Sequence, residues 1–549
     1  MNINRNHFIF GFIIILILFC GLKISEDYGI SVDEDARRNG GRSFVKYIAE
    51  GIGIDHPSFK YIPKVKEYNN AWMAPYGMIF EIPATLLEHI FGIDEKSNIF
   101  LFRHKLTFII HFIGIIVFFL FAKEIFGSNR KALFASLVYC LHPRIFGHSF
   151  FNPKDIIFLS TVSMSLYPSI KFLKTDSKKW MIYTGIFLGL AMSVRLVGIY
   201  LPFLVLLFYG GIIINKPHLS FSAFRDYFCK SAVIVLLSLT VLYILTPYYW
   251  TNPILSFIET FSIAKNFPWN GNNYFLGSYI NATHQNSWYY LPFWFAITTP
   301  ISFLVLFIFG NFIVIYRLSK SVYKYKYILF CILGIIIPFS ILIILSSTLY
   351  DGWRHFFFTY PFSTIIISFG MFQLMSFLKL YYSQNYQLIM RILLICIFSG
   401  PAYSIIKLHP YQQVYFNALV GKDPMRNFEG DYWGTTYRRG FEWISENTTE
   451  DTVRIWLGSG FGKGIGITWK NIWFIEKEKR RKIIIVDLIE SKRLNINGQN
   501  IMDADYYITN FRGSQDDYYG RSKLRLYPFE NEVYSINKGG MKILGIYKL

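Results

Sequence analysis

The chain has 549 residues, of which 53% are hydrophobic and 19% aromatic, while only 16% carry a charged side chain. Soluble domains have about 25% charged residues, so this composition excludes an ordinary soluble globular protein. The net charge of +20 does not indicate nucleic-acid binding, because the Lys and Arg residues lie mostly in short loops between apolar runs and no basic patch with interleaved aromatic residues recurs. We therefore expect the membrane, and no nucleic acid, as a partner.

Apolar runs long enough to cross a bilayer recur over the first 408 residues. The run at 8–23 follows Arg5 and ends in a polar segment without a small-residue cleavage site, so we expect a retained first span with the amino terminus in the cytoplasm. Further spans are predicted at 99–121, 131–147, 155–172, 180–198, 199–215, 229–248, 290–316, 327–349, 356–378 and 389–408. The sequence thus predicts an α-helical polytopic membrane protein with about 11 spans.

Residues 72–92 are apolar but contain Pro75, Glu81, Pro83 and Glu88, which are costly in lipid. We expect this segment to lie at the membrane interface, within an external loop at 24–98. With that assignment, the Lys- and Arg-rich loops between the later spans all face the cytoplasm, as the positive-inside rule requires. If 72–92 crossed the membrane, those loops would all lie outside.

The segment from residue 409 is polar and has short β-like runs at 453–457, 483–486, 506–509 and 543–547, with a helical pattern at 436–446. It predicts a small α/β domain at 409–549, following a transmembrane domain at 1–408. The odd number of spans places this domain outside the cytoplasm.

Four groups of polar residues fall on the external face. The first external loop carries Asp33-Glu34-Asp35, which alone would read as a solvated acidic loop. A short connection between spans carries His142, Arg144, His148, Asn152, Lys154 and Asp155. A later one carries Tyr350-Asp351-Gly352-Trp353-Arg354-His355, and Arg195 lies inside an apolar run.

An arginine within a span is costly unless it pairs or binds a ligand. Arg195 is therefore either a functional residue or the partner of Asp155 or Asp351, and the sequence leaves both open. His142 and His148 are six residues apart and lack a third ligand, so we expect no metal and no cofactor. The five cysteines lie in or beside apolar runs, so we expect no disulfide framework.

Carboxylates that can act as a base, beside cations that can hold a phosphate, suit a reaction whose leaving group is a phosphate in the membrane. A transporter or flippase of lipid-linked sugars is the alternative, but its charges are expected near the bilayer midplane rather than at one edge. A membrane-anchored binding protein would leave the polar residues between spans unexplained.

These motifs resemble those of the GT-C glycosyltransferases of family 39, the polyprenyl-phosphate-sugar-dependent enzymes that include protein O-mannosyltransferases and the aminoarabinose transferase of lipid A. Asp33-Glu34 with Gly40 is similar to the family's Asp-Glu motif, and Asp155 to its second important acid. The segments 287–292 and 352–355, the latter followed by Tyr360-Pro361, are similar to its aromatic and Gly-x-Arg-His segments. The carboxyl-terminal domain departs from the better-known members.

The resemblance implies transfer of a sugar from a polyprenyl-phosphate carrier to a hydroxyl of a lipid, glycan or protein acceptor outside the cytoplasm, with inversion at the anomeric carbon. It implies Asp33 as the base, with Glu34 and Asp155 as further catalytic residues. Candidates to bind the substrate are His142, Arg144, Asn152, Lys154, Arg195, Arg354 and His355. The residue usage favours a bacterial inner membrane.

Overall fold

A computed structural model gives the architecture of the chain. It describes residues 5–54, 62, 76–215, 220–265, 267–269, 271–282, 287–382, 384–458, 467–486, 494–496, 499–501, 503–523 and 527–549. All ten predicted site residues lie within these ranges. Of the segment 72–92, residues 72–75 lie outside them.

The first 408 residues are mainly helical, because long apolar stretches satisfy their backbone polar groups within helices when no water is present. The helices are α1 (Arg5–Ile24), α2 (Glu34–Gly51), α3 (Glu81–Ile90), α4 (Lys96–Phe126), α5 (Asn129–Cys140), α6 (Pro143–Phe151), α7 (Asp155–Thr175), α8 (Lys178–Met192), α9 (Tyr200–Ile214), α10 (Phe221–Leu245), α11 (Pro253–Lys265), α12 (Tyr290–Thr298), α13 (Ile301–Lys320), α14 (Lys326–Ile344), α15 (Tyr360–Tyr381) and α16 (Tyr386–Leu408). A hairpin of strands β1 (Asn272–Phe275) and β2 (Ser278–Asn281) lies between α11 and α12.

The chain is a multi-pass membrane protein. Within the described residues, eight helical segments are long and apolar enough to cross a bilayer, namely Lys96–Phe126, Asp155–Thr175, Leu196–Ile214, Phe221–Leu245, Ile301–Lys320, Lys326–Ile344, Arg354–Tyr381 and Tyr386–Leu408. The exact number of spans, predicted as about 11, stays a prediction, as does the division of the chain at residue 408.

Three predicted spans are interrupted in the structure. The run 131–147 is divided between α5 and α6 before Pro143, and the run 290–316 is divided between α12 and α13 at Pro300. The residue before a proline is disfavoured in helical conformation, which explains both breaks. The run 180–198 was predicted too long, because α8 ends at Met192 and a short 3-10 helix begins at Leu196.

Helix α3 occupies half of the segment predicted to lie at the interface. Its ten residues rise only about 15 Å, roughly half the thickness of a bilayer core. Glu81 and Glu88 are buried and both contact Arg103 of α4, and Arg38 lies 2.8 Å from Glu88. These ion pairs explain how two acids are accommodated on an otherwise apolar helix.

The carboxyl-terminal segment forms the predicted α/β domain. Helix α17 (Tyr437–Asn447) and strands β3 (Val453–Gly458), β4 (Ile483–Val486), β7 (Tyr506–Thr509) and β9 (Met541–Lys548) confirm the predicted helix and β-runs. The remaining elements are α18 (Lys477–Arg480), β5 (Leu494–Ile496), β6 (Gln499–Ile501), α19 (Gln515–Tyr518) and β8 (Glu532–Lys538). The main sheet has the order β4-β3-β7-β9-β8, parallel from β4 to β7 and antiparallel from β7 to β8.

The two parts of the chain share a buried boundary. Phe100 of α4 stacks on Trp473 of the α/β domain at 5.5 Å between ring centroids, and Tyr28 after α1 donates a hydrogen bond to Gln412. The polar residues described next lie along this boundary.

Candidate active site

Asp33 lies at the residue that precedes α2 and is the most exposed acid of the site, with 26% of its side chain accessible. Its Oδ2 accepts a hydrogen bond from Lys154 Nζ at 2.9 Å and lies 3.7 Å from Arg354 Nη1. Burial alone would raise the pKa of the Asp33 carboxyl, but Lys154 and Arg354 outweigh it and hold the pKa below its usual range. Asp33 is therefore ionised at neutral pH.

Asp155 begins α7 and its carboxylate is almost fully buried, with 1% of the side chain accessible. The Asn152 side chain accepts a hydrogen bond from the Asp155 amide and donates one to Asp155 Oδ2 at 3.0 Å. Arg354 donates to the same oxygen at 3.0 Å, and Arg195 donates to Oδ1. Asp155 thus anchors two arginines that come from distant parts of the chain.

Arg195 does not lie inside a helix, as its position in an apolar run had suggested. It has extended backbone between α8 and the 3-10 helix at 196–199, and it forms an antiparallel bridge with Tyr76. The Gly77 amide continues this pairing by donating to Val194 O at 3.3 Å. Of the two acids named as partners for Arg195, the structure shows Asp155.

Arg354 follows a sharp turn at Asp351-Gly352, where both residues have positive φ, of 58° and 72°. Asp tolerates this left-handed region better than most residues, and Gly adopts it freely. The turn directs Asp351 Oδ2 to Arg354 Nη2 at 2.9 Å and Oδ1 to Arg512 Nη2 at 2.7 Å. Arg512 belongs to the loop after β7, so a residue of the α/β domain joins the site.

Tyr76 is surrounded by positive charge. The centroid of its ring lies 4.6 Å from Lys154 Nζ, 5.1 Å from Arg37 Cζ and 5.3 Å from Arg195 Cζ. Burial raises the pKa of its hydroxyl, but Lys154, Arg195 and Arg354 oppose this and hold the pKa below its ordinary value.

A cavity of about 170 Å³ opens beside this group. Its polar end is formed by Tyr76, Arg195, Tyr350 and His355, and its walls are largely apolar, with Leu196, Tyr200, Phe261, Pro338, Leu342 and Phe358 among them. Lys265, at the end of α11, also lines it. The cavity therefore joins an apolar channel, next to membrane helices, to a cationic end.

We refer below to Asp33, Lys154, Asp155, Arg195, Asp351, Arg354 and Arg512 as the charged cluster. Its four cations meet three carboxylates, so these seven residues carry a net positive charge. An anion entering from the cavity would be attracted to it.

Glu429 lies close to the cluster and is buried, with Oε1 accepting a hydrogen bond from the Tyr274 amide at 3.1 Å. Burial raises the pKa of its carboxyl to about 7, Arg512 lowers it and Asp351 raises it further. At neutral pH this carboxyl is thus close to half protonated.

Several predicted site residues hold the fold around the cluster instead. Glu34 is buried, with one oxygen accepting from the Ser31 amide at 2.7 Å and the other 2.8 Å from His104 Nε2. Both oxygens are engaged by partners other than those of Asp33, and the catalytic role of Glu34 stays a prediction.

His142 and Arg144 are not brought to the cluster either. The His142 ring packs 4.9 Å from Tyr360, and its Nδ1 accepts from the Ile145 amide. Arg144 donates to Tyr415 O at 2.8 Å and its guanidinium lies 4.6 Å above the ring of Phe416. By contrast, Lys154, Arg195 and Arg354 belong to the cluster, His355 lines the cavity, and Asn152 forms hydrogen bonds with Asp155 of the cluster.

Sequence reasoning did not assign Tyr76, Glu429 or Arg512 to the site, and it named Asp351 only as a possible partner of Arg195. Tyr76 lay in a segment interpreted only as interfacial, and Glu429 and Arg512 lay in a part of the chain without a recognisable motif. Among the described residues no group of three His, Cys, Asp or Glu side chains is placed to hold a metal ion.

One family of known proteins matches part of the sequence. The sequence model of a family described as dolichyl-phosphate-mannose-protein mannosyltransferase matches residues 84–250, a stretch that includes Asp155 and Arg195. The match confirms, over those residues, the resemblance seen in the motifs. No curated protein sequence matches the chain.

Several solved structures are distantly similar to this chain over most of its length. ArnT from Cupriavidus metallidurans, bound to undecaprenyl phosphate, has 13% identity and a TM-score of 0.48, with 98% of each chain covered. The same protein in the apo state has 13% identity and a TM-score of 0.49, covering 98% of this chain and 97% of that one. The oligosaccharyltransferase of Archaeoglobus fulgidus in the apo form has 10% identity and a TM-score of 0.46, covering 92% of this chain and 71% of that one.

Proposed function

We propose that the chain is a membrane glycosyltransferase that moves a sugar from a polyprenyl-phosphate carrier to an acceptor hydroxyl outside the cytoplasm. The observation that carries the proposal is one arrangement of charge. An ionised, partly exposed Asp33 contacts Lys154 and Arg354 within the charged cluster, and this cluster adjoins an apolar cavity. A base, an anion site and a channel for a prenyl chain thus lie next to one another.

In this reaction the hydroxyl oxygen of the acceptor attacks the anomeric carbon of the donor sugar. The bond between that carbon and the phosphate oxygen breaks, its electron pair leaves with the polyprenyl phosphate, and the hydroxyl proton passes to Asp33. The cations contact Oδ2 of Asp33, so we assign the proton to Oδ1. A single displacement from the opposite face inverts the anomeric carbon.

The cations stabilise the leaving phosphate. Lys154 and Arg195 both lie beside the ring of Tyr76, which lines the polar end of the cavity. If a prenyl chain lay among the apolar walls, its phosphate would lie at this end. A donor with one phosphodiester carries one negative charge, which is opposite in sign to the net charge of the cluster. Such pre-arranged charges are usually among the largest contributions to catalysis.

The acidic residues then have separate tasks. Asp33 is exposed enough to receive a proton, whereas Asp155 is buried between Arg195 and Arg354 and positions both of them. We assign Glu34 and Asn152 to positioning as well, because their polar atoms hold the Asp33 loop and the start of α7.

We place the amino terminus in the cytoplasm and the charged cluster and α/β domain outside it, in a bacterial inner membrane. What supports this is that Lys and Arg are frequent at and just after the carboxyl-terminal ends of α4, α7 and α13, while Asp155 of the cluster begins α7 at its other end. An acceptor lipid, glycan or protein would approach from the outer face.

The test is Asp33→Asn in the purified full-length protein, assayed with a polyprenyl-phosphate sugar and an acceptor. A positioned base contributes about 10²–10⁴-fold, so turnover should fall by that factor while donor affinity stays within about threefold. Asp176→Asn is the matched control, because Asp176 pairs with Lys230 at 2.8 Å away from the cluster and Asn also tolerates its φ of 52°.

Wild-type turnover in Asp33→Asn would remove Asp33 from the mechanism. The product should have the opposite anomeric configuration to the donor, which NMR of the isolated glycoside reports. Movement of unchanged lipid across a vesicle membrane without a new glycoside would show a flippase instead.

A further inference from the structure

The loop that carries Asp33 is held from one side by the α/β domain. Along residues 26–35, each contact described below joins a backbone group or a charged side chain of this loop to a residue beyond position 430. These contacts fix one side of the loop, and they come from a domain that follows the last helix of the membrane part.

Asn471 makes the central contact. Its Oδ1 accepts a hydrogen bond from the Ile30 amide at 2.8 Å and its Nδ2 donates to Ile30 O at 3.0 Å, so one side chain satisfies both polar groups of one loop residue. Asn471 is fully buried and also donates to Gly434 O at 3.2 Å. Two residues further along, the Val32 amide donates to Trp433 O at 3.1 Å.

The contact is too close for any side chain at position 29. A Cβ atom added to Gly29 would lie 2.2 Å from Thr435 O and 2.7 Å from Asn471 Oδ1. At the two ends of the loop, Arg438 Nη1 donates to Glu26 O at 2.6 Å and to Tyr28 O at 3.0 Å, and Lys470 donates to Asp35. The α/β domain thus contacts this loop at both ends and in the middle.

The α/β domain also contacts the charged cluster through ion pairs. Arg512 of the α/β domain holds Oδ1 of Asp351, and Asp351 holds Arg354 through its other oxygen. Arg354 in turn contacts Asp155 and lies 3.7 Å from Asp33. Arg512 is itself fixed by donating to Tyr432 O at 2.6 Å.

From these contacts we infer that the α/β domain completes the active site, with Asn471 positioning the Asp33 loop and Arg512 positioning Arg354 through Asp351. This rests on the proposed transferase function and assigns residues to it that no sequence motif indicates. Without Arg512, Asp351 would be left with Arg354 alone and would draw it away from Asp33. The pKa of Asp33 would then rise, because Arg354 is one of the two cations that lower it.

The first experiment uses Arg512→Gln in the full chain, with kcat and KM measured from pH 8 down to below pH 3, because the pKa of Asp33 lies below its usual range. We expect kcat to fall by tenfold or more with donor KM changed less than threefold, and the acidic limb of the kcat/KM profile to move to higher pH by at least half a unit. Arg439→Gln is the matched control, since Arg439 lies in the same domain and pairs at the surface with Glu442 and Glu446.

A merely structural role for Arg512 would lower the amount of folded protein without moving the pH profile. Should Arg512→Gln fail to fold, Arg512→Lys keeps the charge and one contact, and its acidic limb should move in the same direction by a smaller amount. An unmoved limb in the folded variant overturns this half of the inference.

The second experiment does not depend on turnover. In Asn471→Ala, hydrogen–deuterium exchange of a peptide covering residues 28–35 should become at least tenfold faster, because the Ile30 amide loses its acceptor, while peptides of α7 and α15 should be unchanged. Unchanged exchange in 28–35, or faster exchange with wild-type kcat, would overturn the role of Asn471. If the wild type transfers no sugar from any polyprenyl-phosphate donor, the proposed function fails, and the exchange result still decides whether the domain holds the loop.

Discussion

Replacing Asp155 by Asn removes the only negative charge that Arg195 contacts among the described ion pairs. Arg354 loses one of three acidic neighbours and keeps Asp351 at 2.9 Å and Asp33 at 3.7 Å. The Asn side chain is nearly the same size, so the change isolates charge from packing.

The magnitude follows from burial. Breaking a buried ion pair by removing one partner costs about 3–5 kcal/mol, because the other charge stays buried and uncompensated. Asp155 and Arg195 are both buried, so Asp155→Asn should cost a value in this range. Arg195→Gln should cost less than Asp155→Asn, because Asp155 keeps Arg354 and Asn152 as partners. The double variant should recover part of the loss, since it removes both members of the pair.

The assay is a double-mutant cycle on unfolding of the detergent-solubilised protein, with donor binding measured on the same samples. Glu124→Gln is the matched control: Glu124 also contacts two cations, Lys171 and Lys174, both at 3.3 Å, but in a partly exposed position. Partly exposed ion pairs of this kind contribute about 0–1 kcal/mol to the free energy of unfolding. If the two single variants are additive in the double variant, or if Asp155→Asn costs no more than Glu124→Gln, the reasoning about buried charge is refuted.

Two further predictions concern pH. The raised pKa of Glu429 means that this carboxyl stabilises the folded state fully below pH 4.5 and loses that contribution as the pH rises through about 7. The wild type should therefore lose about 3 kcal/mol of unfolding free energy over this window, and Glu429→Gln should not. Parallel stability profiles of the two proteins from pH 4.5 to 8 would contradict this prediction. Lys154→Met removes the cation that hydrogen-bonds to Asp33 and lowers its pKa, so the acidic limb of kcat/KM should move to higher pH than in the wild type, and an unmoved limb in folded protein would show that Asp33 does not titrate in that profile.

The α/β domain was predicted closely because its signals are local. Strands at 483–486 and 506–509 have the predicted bounds, since short runs of β-branched and aromatic residues between polar segments carry their own strand preference. Pro143 and Pro300 also indicate the two helix breaks, but a mean hydropathy taken over a window of residues does not reveal the effect of a single proline.

The site was predicted in part. The acids and cations that flank spans on one face were identified, because topology alone brings the ends of successive helices to one side of the membrane. Arg512 and Asn471 could not be found this way: Arg512 lies 161 residues from Asp351 and Asn471 lies 441 residues from Ile30. Contacts between residues so far apart in the sequence produce no periodic pattern, so only the tertiary fold reveals them.

The two acids of the site show why residue type alone does not assign a role. Asp33 and Asp155 both contact Arg354, yet 26% of the Asp33 side chain is accessible and only 1% of Asp155. An acceptor hydroxyl can reach the first and not the second, while the second can hold two guanidinium groups rigidly in a region of low dielectric constant. Under the proposed function, environment separates two identical groups into a base and an anchor. The roles should therefore not be interchangeable: loss of the Asp33 charge should affect turnover directly, whereas loss of the Asp155 charge should affect it through Arg195 and Arg354.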